Sequence, residues 1–297
     1  MRLNTASLRE RARVLQAVRS FFIDREYLEV ETPIRIPAPI PEAWIEVEAA
    51  GDWFLQTSPE ICMKRLLSAG LPRIFQICKC FRRHERGSRH LPEMTMLEWY
   101  TAHADYHDLM RDCEELLNVV LSPRLPGFDG SMIDLSPPWP RLSLSEAFKR
   151  YASISLHTAL AADSFDEVLS CEVEPRLGLR QPVFIIDYPA SLASLAALHP
   201  DNPALAQRFE LYISGMELAN GFTELNDARE QRLRFRHEQE LIRARGRELA
   251  PMPEPFLTDL SHMPPAAGIA MGLDRLLMIS RGICCIDEVT AFTPEEL

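Results

Sequence analysis

Between Phe81 and Tyr100 the chain gathers Arg82, Arg83, His84, Glu85, Arg86, Arg89 and His90 into one polar stretch, followed by Leu91, Pro92 and an apolar run. Guanidinium forks match phosphate oxygens bidentately, so this composition suits a polyphosphate clamp on a hairpin loop. On the returning strand Met94, Met96, Glu98 and Tyr100 share one face by the period-two rule. That face offers a base something to rest on, together with a carboxylate and a phenol. A solvated charged loop beside an ordinary strand is the alternative for the same residues.

A second concentration covers residues 215–226, where Glu217 and Glu224 stand in a mostly apolar stretch with Asn220-Gly221 between them. Buried carboxylates are costly unless a cation compensates them, and magnesium bridging the oxygens of ATP is such a cation. The odd spacing from Glu217 to Glu224 sends the two to opposite faces of a regular strand. A bulge at Asn220-Gly221 would bring them together; otherwise one is exposed and the other ion-paired. A third segment runs from Gly268 through Gly272 into Leu273, Asp274 and Arg275. Its small residues let a ligand approach closely. Arg275 falls in the first turn of the following helix, against the macrodipole, where a ligand anion explains it better than helix stability does.

Elements that could position these residues follow from periodicity. Ser7-Leu8-Arg9-Glu10 is a capping-box pattern, and Leu8, Leu15, Val18 and Phe22 recur at helical spacing, predicting a helix to about Arg25. Residues 27–32 alternate like a strand ended by Pro33, and Pro37, Pro39 and Pro41 mark a loop. Residues 52–57 read as a strand and 61–68 as a helix stopped at Gly70; 73–82 and 93–101 are the arms of the arginine-rich hairpin. A helix over 106–121 buries Leu109, Cys113, Leu116, Leu117 and Val120. The proline-rich stretch 122–182 holds helices near 145–151 and 165–171, before a buried strand over 183–188. Two strands within 208–226 turn near Ser214-Gly215, a charged helix spans 227–245, and 268–272 leads into a helix over 273–281. Hairpins with helices between them predict an α+β fold, an antiparallel sheet flanked by helices.

Composition narrows the function classes. The 297 residues carry a net charge of −11, which weighs against RNA binding without excluding a local basic patch. No run of apolar residues is long enough for a membrane span, and the first residues form no signal peptide, so cytoplasm is the expectation. The 7 cysteines include no CxxC pair and are expected as buried thiols. His103 and His107 have helical metal spacing but no third ligand, and are expected at the surface.

In content and order these segments resemble motifs two and three of the class II aminoacyl-tRNA synthetases, with the first helix and Glu29-Val30-Glu31-Thr32-Pro33 standing for motif one. The lysyl branch is the nearest form, through Thr57-Ser58-Pro59-Glu60, Met63-Lys64-Arg65-Leu66-Leu67, Met96-Leu97-Glu98-Trp99-Tyr100 and Glu217-Leu218-Ala219-Asn220-Gly221-Phe222 with Glu224-Leu225. Ser58, where lysyl synthetases carry Ala, is similar to that branch's free-standing paralogues, which attach (R)-β-lysine to a lysine side chain of elongation factor P. So is Tyr188-Pro189-Ala190-Ser191 with Ala193-Ser194-Leu195-Ala196. The short lead into the first helix leaves no anticodon-binding barrel expected here.

The resemblance implies one catalytic domain over 1–297, with 122–182 a variable insertion between motifs two and three, and a homodimer through the N-terminal segment. It implies ATP and Mg2+ as cofactors, (R)-β-lysine or lysine as substrate, and elongation factor P rather than tRNA as acceptor. Arg82 would hold the α-phosphate and the acyl carboxylate, and Arg275 the γ-phosphate, as the catalytic residues. His84, Glu85, His90, Leu91, Met94, Glu217, Leu218 and Gly272 would complete the ATP site. Ser58, Pro59, Glu60, Glu98, Tyr100, Asn220 and Glu224 would line the amino-acid pocket, and Glu217 and Glu224 would bind metal. Three positions depart from the family: Met94 replaces the adenine-stacking Phe, Leu91 an Asn, and Arg83-His84 delays the motif glutamate to Glu85. Two rivals remain, a truncated lysyl-type synthetase acting on tRNA or a small molecule and a non-catalytic regulatory paralogue.

Overall fold

A computed structural model describes residues 5–297. Helix α1 (Thr5–Ile23) leads into the short strands β1 (Leu28–Glu29), β2 (Arg35–Ile36), β3 (Ala49–Ala50) and β4 (Trp53–Leu55). Helix α2 (Glu60–Ser68) precedes the long hairpin of β5 (Arg73–Phe81) and β6 (Glu93–Ala102), and α3 (Tyr106–Val120) follows it. Next come β7 (Arg124–Pro126), β8 (Met132–Asp134) and β9 (Arg141–Ser143), then α4 (Leu144–Tyr151), α5 (Leu156–Ala161) and α6 (Phe165–Val168). The last part holds β10 (Val183–Pro189), β11 (Leu205–Ile213), β12 (Met216–Thr223), α7 (Ala228–Ala244), α8 (Glu254–Leu260), β13 (Ala266–Gly272) and α9 (Leu273–Arg281).

The main sheet has 8 strands in the order β1-β5-β6-β13-β12-β11-β10-β9. Neighbours from β5 to β10 are antiparallel, whereas β1 on β5 and β9 on β10 are parallel. Period-two alternation divides the sheet cleanly. Phe75, Leu97, Trp99, Phe209, Leu211, Ile269 and Met271 face an apolar layer completed by Val18 and Phe22 of α1, Leu109 and Leu116 of α3, and Leu276 and Leu277 of α9. The opposite face carries Gln76, Glu98, Tyr100, Glu210 and Asn220, and α2, α7 and α8 close over its β5 side through Met63, Leu67, Phe235, Phe256 and Leu257. Helices therefore seal one face and leave the other partly open for chemistry.

Several expectations change in detail. Helix α1 is already under way at Thr5, so Ser7 lies buried in its first turns and not at the cap. The strand expected over 27–32 shortens to β1, and its pairing with β5 makes that edge parallel. The stretch 122–182 supplies the other parallel edge: β9 pairs with β10 through a crossover containing α4, α5 and α6. A register shift in the β11–β12 ladder puts the bulge at Leu218, since Leu211 pairs with Ala219 while Tyr212 pairs with Glu217. The bulge expected at Asn220-Gly221 is thus two residues early in the chain. All 7 cysteines are free, but only Cys80 and Cys113 are buried, while Cys171 and Cys284 are exposed. No helix among the described residues is long and apolar enough to cross a membrane.

Phe22 is the hub of the apolar layer: it stacks on Phe75 at 4.8 Å and meets Tyr27 at 5.1 Å and Trp99 at 5.2 Å. Phe22→Ala is expected to lower unfolding stability by about 3–5 kcal/mol, the cost of an unfilled aromatic cavity, read as a lower denaturant midpoint.

Candidate active site

The open face of β6 meets the start of α2, and the junction is held by side chains. Ser58 Oγ donates to Glu98 Oε1 at 2.6 Å and accepts from the Glu60 amide at 3.0 Å. Tyr100 OH donates to Glu98 Oε2 at 2.8 Å. Glu60 begins α2, so its partner one turn later is Lys64, whose Nζ lies 2.5 Å from Glu60 Oε1 and 2.5 Å from Glu224 Oε2. Pro59 is buried at the same junction. Glu60, Glu98 and Glu224 thus converge from α2, β6 and the end of β12.

Gly268 makes this convergence possible. It pairs with Tyr100 on one side and Phe222 on the other. A Cβ there would stand 2.2 Å from Tyr100 Cε1 and 2.3 Å from Glu224 Oε1. The small residue expected for close approach is therefore filled by the pocket's own side chains. Asn220 stands next along the same face, its Oδ1 accepting from Arg208 Nε at 3.3 Å.

Burial sets the protonation of this pocket. It pushes the Glu98 carboxyl up to about 8, the nearby Glu60 charge adds to the rise, and the Ser58 and Tyr100 hydrogen bonds oppose it. Burial also raises Glu224, against the pull of Lys64. Lys64 itself is held as an ammonium, because Glu224 and Glu60 outweigh its own desolvation. The Tyr100 phenol is pushed well up, first by burial and then by Glu98.

The second part of the site lies where β12, the hairpin loop and α9 meet. Arg275 Nη1 donates to Glu217 O at 2.8 Å and to Glu217 Oε2 at 3.2 Å, and its Nη2 reaches His90 Nε2 at 2.6 Å. Burial, then the Arg275 charge, lowers the His90 pKa, so a neutral ring accepts that hydrogen bond. The bulge at Leu218 sends both Leu218 and Ala219 into the apolar layer and so returns Glu217 to the face of Asn220. The Arg82 charge is felt both at His90 and at Glu42, whose carboxyl also senses Glu60. Arg82 Nε is buried without a hydrogen-bond partner and the Arg82 side chain is 3.8 Å from Glu85.

Not every expected residue faces the site. Leu91 packs its side chain into the apolar layer, as does Leu218. His84 is mostly exposed and lies 3.8 Å from Glu46. Met94 is half-buried opposite Cys80, and Gly272 forms the N-cap of α9. Glu217 and Glu224 share a face yet belong to separate clusters, one around Arg275 and one around Lys64. Among the described residues no three His, Cys, Asp or Glu side chains are grouped to hold a metal ion by themselves.

Sequence reasoning gave no role to three groups. Lys64 stands in the lysyl-branch motif with no role of its own there. Asp274 accepts from the Thr95 amide at 2.7 Å and from Arg11 Nη1 at 2.6 Å, which ties α9 to β6 and α1. Glu42, on the proline loop, is pushed up to about 7 by burial, opposed by Arg82 and reinforced by Glu60. That loop is pinned by the Ala43 amide, which donates to Glu238 at 2.7 Å, and by Arg247, which donates to Ala43 O.

The family model described as tRNA synthetases class II (D, K and N) matches residues 3–296. The chain belongs to the class II tRNA synthetase family. Within that family it is 38% identical to a Salmonella gallinarum protein named elongation factor P–(R)-β-lysine ligase, over 97% of this chain and 94% of that protein. A Pectobacterium carotovorum protein of the same name is also 38% identical, over 98% of this chain and 96% of its own. The class II assignment agrees with the mainly antiparallel sheet and with the motif order.

The raised Glu98 pKa has a signed consequence. Its folded value of about 8 exceeds the ordinary carboxyl value of 4.5, so the folded state binds more protons between those limits and stability falls as pH rises through that window. Glu98→Gln is expected to flatten the decline in thermal midpoint between pH 5 and 8, roughly the interval separating the two values. A profile as steep as that of the parent would show that Glu98 does not titrate there.

Proposed function

We propose that the protein is an ATP-dependent ligase that activates (R)-β-lysine or lysine as an aminoacyl-adenylate and transfers it to a lysine side chain of elongation factor P. One observation carries the reading: three glutamates converge in a buried pocket beside Arg82, whose guanidinium Nε has no partner. A substrate bearing two ammonium groups replaces its lost water with such carboxylates, whereas an acidic amino acid would require cations there. The name shared by the two bacterial relatives agrees with that chemistry.

In the first step a carboxylate oxygen of the amino acid attacks the α-phosphorus of ATP. The bond to the bridging oxygen breaks, and pyrophosphate leaves. Arg82 would hold the acyl carboxylate and the α-phosphate, and Arg275, set in the first turn of α9, would hold the γ-phosphate. Glu85, His90, Met94 and Gly272 would surround the nucleotide, with His84, Leu91 and Leu218 contributing through the backbone of their segments. Glu217 would hold a magnesium ion, being half-buried at that end with Glu174 and Glu210 nearby; Glu224, tied to Lys64, would act mainly in the amino-acid pocket. Magnesium would supply charge neutralisation at the phosphates.

In the second step the acceptor amine attacks the adenylate carbonyl. The bond to the phosphate oxygen breaks, AMP leaves, and the amine loses its proton. Catalysis would come from positioning and charge stabilisation, with no covalent enzyme intermediate. A cytoplasmic homodimer accords with this reading. Ile23, Leu28 and Ile34 leave an exposed apolar strip along the first segment, where motif one of the family lies.

Amino-acid-dependent ATP–pyrophosphate exchange tests the proposal, with (R)-β-lysine, (S)-β-lysine, α-lysine, ornithine and aspartate compared side by side. Exchange strongest with (R)-β-lysine is the expected result, and AMP-releasing transfer to purified elongation factor P should follow. Arg82→Ala is expected to lower exchange at least about 100-fold, the usual cost of removing a transition-state charge donor. Exchange strongest with aspartate would overturn the substrate class. Folded protein that binds ATP yet exchanges with none of them would favour a regulatory paralogue.

Gly268→Ala is expected to abolish lysine-dependent exchange by forcing Tyr100 and Glu224 apart, while binding of ATP at the Arg275 end persists. Retention of normal exchange would show that the close packing at Gly268 is dispensable.

A further inference from the structure

A lysine is the wrong side chain for a pocket that takes up ammonium groups, because it repels them. Yet Lys64 reaches into the centre of this one. It follows Glu60 by one helical turn on α2, so both side chains run along the same helix face. Its side chain and that of Glu224 are both 0% exposed. Phe222 covers the ammonium, 5.1 Å from the ring centroid. Burial this complete would neutralise an isolated amine. Two carboxylates at 2.5 Å keep it charged.

Counting charge supplies the reason for it. Glu60, Glu98 and Glu224 bring three negative charges when ionised, and Lys64 cancels one, leaving two. Two is the number of ammonium groups on a diamino acid whose own carboxylate is met by Arg82. In the empty pocket burial holds the Glu98 proton up to about pH 8, and two bound ammonium groups favour its release; without Lys64 the ionised pocket would carry one charge more than they cancel. Glu98 then has two neutral hydrogen-bond partners, Ser58 and Tyr100, while Glu60 and Glu224 share the cation.

We propose that Lys64 is the specificity-setting positioning residue of the amino-acid pocket: it fixes Glu60 and Glu224 in place and trims the pocket's charge to match a substrate with two ammonium groups. The proposal rests on the diamino-acid reading given above. It separates Lys64 from the residues that touch substrate, since it acts through the two glutamates. It also explains why a buried cation stands among carboxylates that have a cationic ligand of their own to bind.

Three variants test it in ATP–pyrophosphate exchange: Lys64→Met, Glu224→Gln and the double variant K64M/E224Q. Each is assayed with (R)-β-lysine and α-lysine, and with norleucine, which keeps the α-lysine chain length but lacks the terminal amine. Lys64→Met is expected to raise KM for both lysines about 100-fold with kcat changed far less, as breaking a buried ion pair leaves its partner uncompensated. Glu224→Gln leaves a net charge of one beside Lys64, whereas the double variant restores two. The double variant should therefore exceed Glu224→Gln in kcat/KM for the lysines by about tenfold, roughly the value of one better-matched charge. It should also recover preference for α-lysine over norleucine.

A role in packing alone predicts the opposite, a double variant no better than Glu224→Gln, and that result overturns the proposal. So does Lys64→Met within twofold of the parent. If Lys64→Met fails to fold, the comparison between Glu224→Gln and the double variant still decides, because removing both members of a buried pair is better tolerated than removing one. A parent protein that exchanges with no diamino acid overturns the functional reading and this inference together; a parent that does, with no effect of Lys64, overturns this inference alone.

Discussion

Charge compensation in a dry pocket is the constraint around which the rest is arranged. Three glutamates brought together out of water repel one another and lose hydration, and neither cost is met by the apolar core beneath them. Lys64 answers part of it, and the hydroxyls of Ser58 and Tyr100 answer a further part by donating to Glu98. The remaining imbalance shows in the raised Glu98 and Glu224 carboxyls. A pocket of this kind is poised to take up positive charge. That links its electrostatics to the proposed substrate without appeal to any single contact.

The sheet lets such a pocket persist by assigning its two faces different tasks. One face is closed by α1, α3 and α9 over a continuous aromatic and aliphatic layer, and it supplies rigidity. The other presents β6, β12 and β13 side by side, so residues far apart in sequence meet at fixed pleat positions. Asp274 ties the helices of the closed face to the sheet. It receives the Thr95 amide of β6 and the Arg11 guanidinium of α1 from the first turn of α9, and so fixes the helix that carries Arg275. Phosphate-facing and lysine-facing groups are thereby set on one rigid frame.

Much of this was legible where the side chains obey local periodicity. Period two placed Glu98 and Tyr100 on one face, and Arg275 fell in the first turn of a helix whose predicted span, 273–281, matches α9. Hairpin arms and the charged helix over 228–244 followed the same logic. What escaped depends on partners distant in sequence. The three residues of β9 are too few to announce a strand, and their parallel partner lies across a crossover. Glu60 and Lys64 have the spacing of an ordinary surface pair, so nothing in α2 itself says that both are buried. Glu42 sits in a proline loop whose position depends on Glu238 and Arg247 of a much later segment. A bulge was one of two outcomes open to the Glu217–Glu224 spacing, and its place at Leu218 was hidden because Leu218 and Ala219 are both apolar.

That bulge makes the length of β12 as binding as its composition. One surplus residue is all that turns Glu217 toward the nucleotide end while Glu224 keeps its place with Lys64. Deleting Leu218 would leave Ala219 inward and Glu217 on the face of Asn220, but closing the bulge with its residue kept would rotate Glu217 into the layer occupied by Met216 and Ile213 and take its carboxylate from Arg275. No change of rotamer could undo this, because the error would lie in the count of pleats. Substitutions along this strand can accumulate one side chain at a time, but a single codon gained between Glu217 and Glu224 shifts half of the site out of phase with the other half.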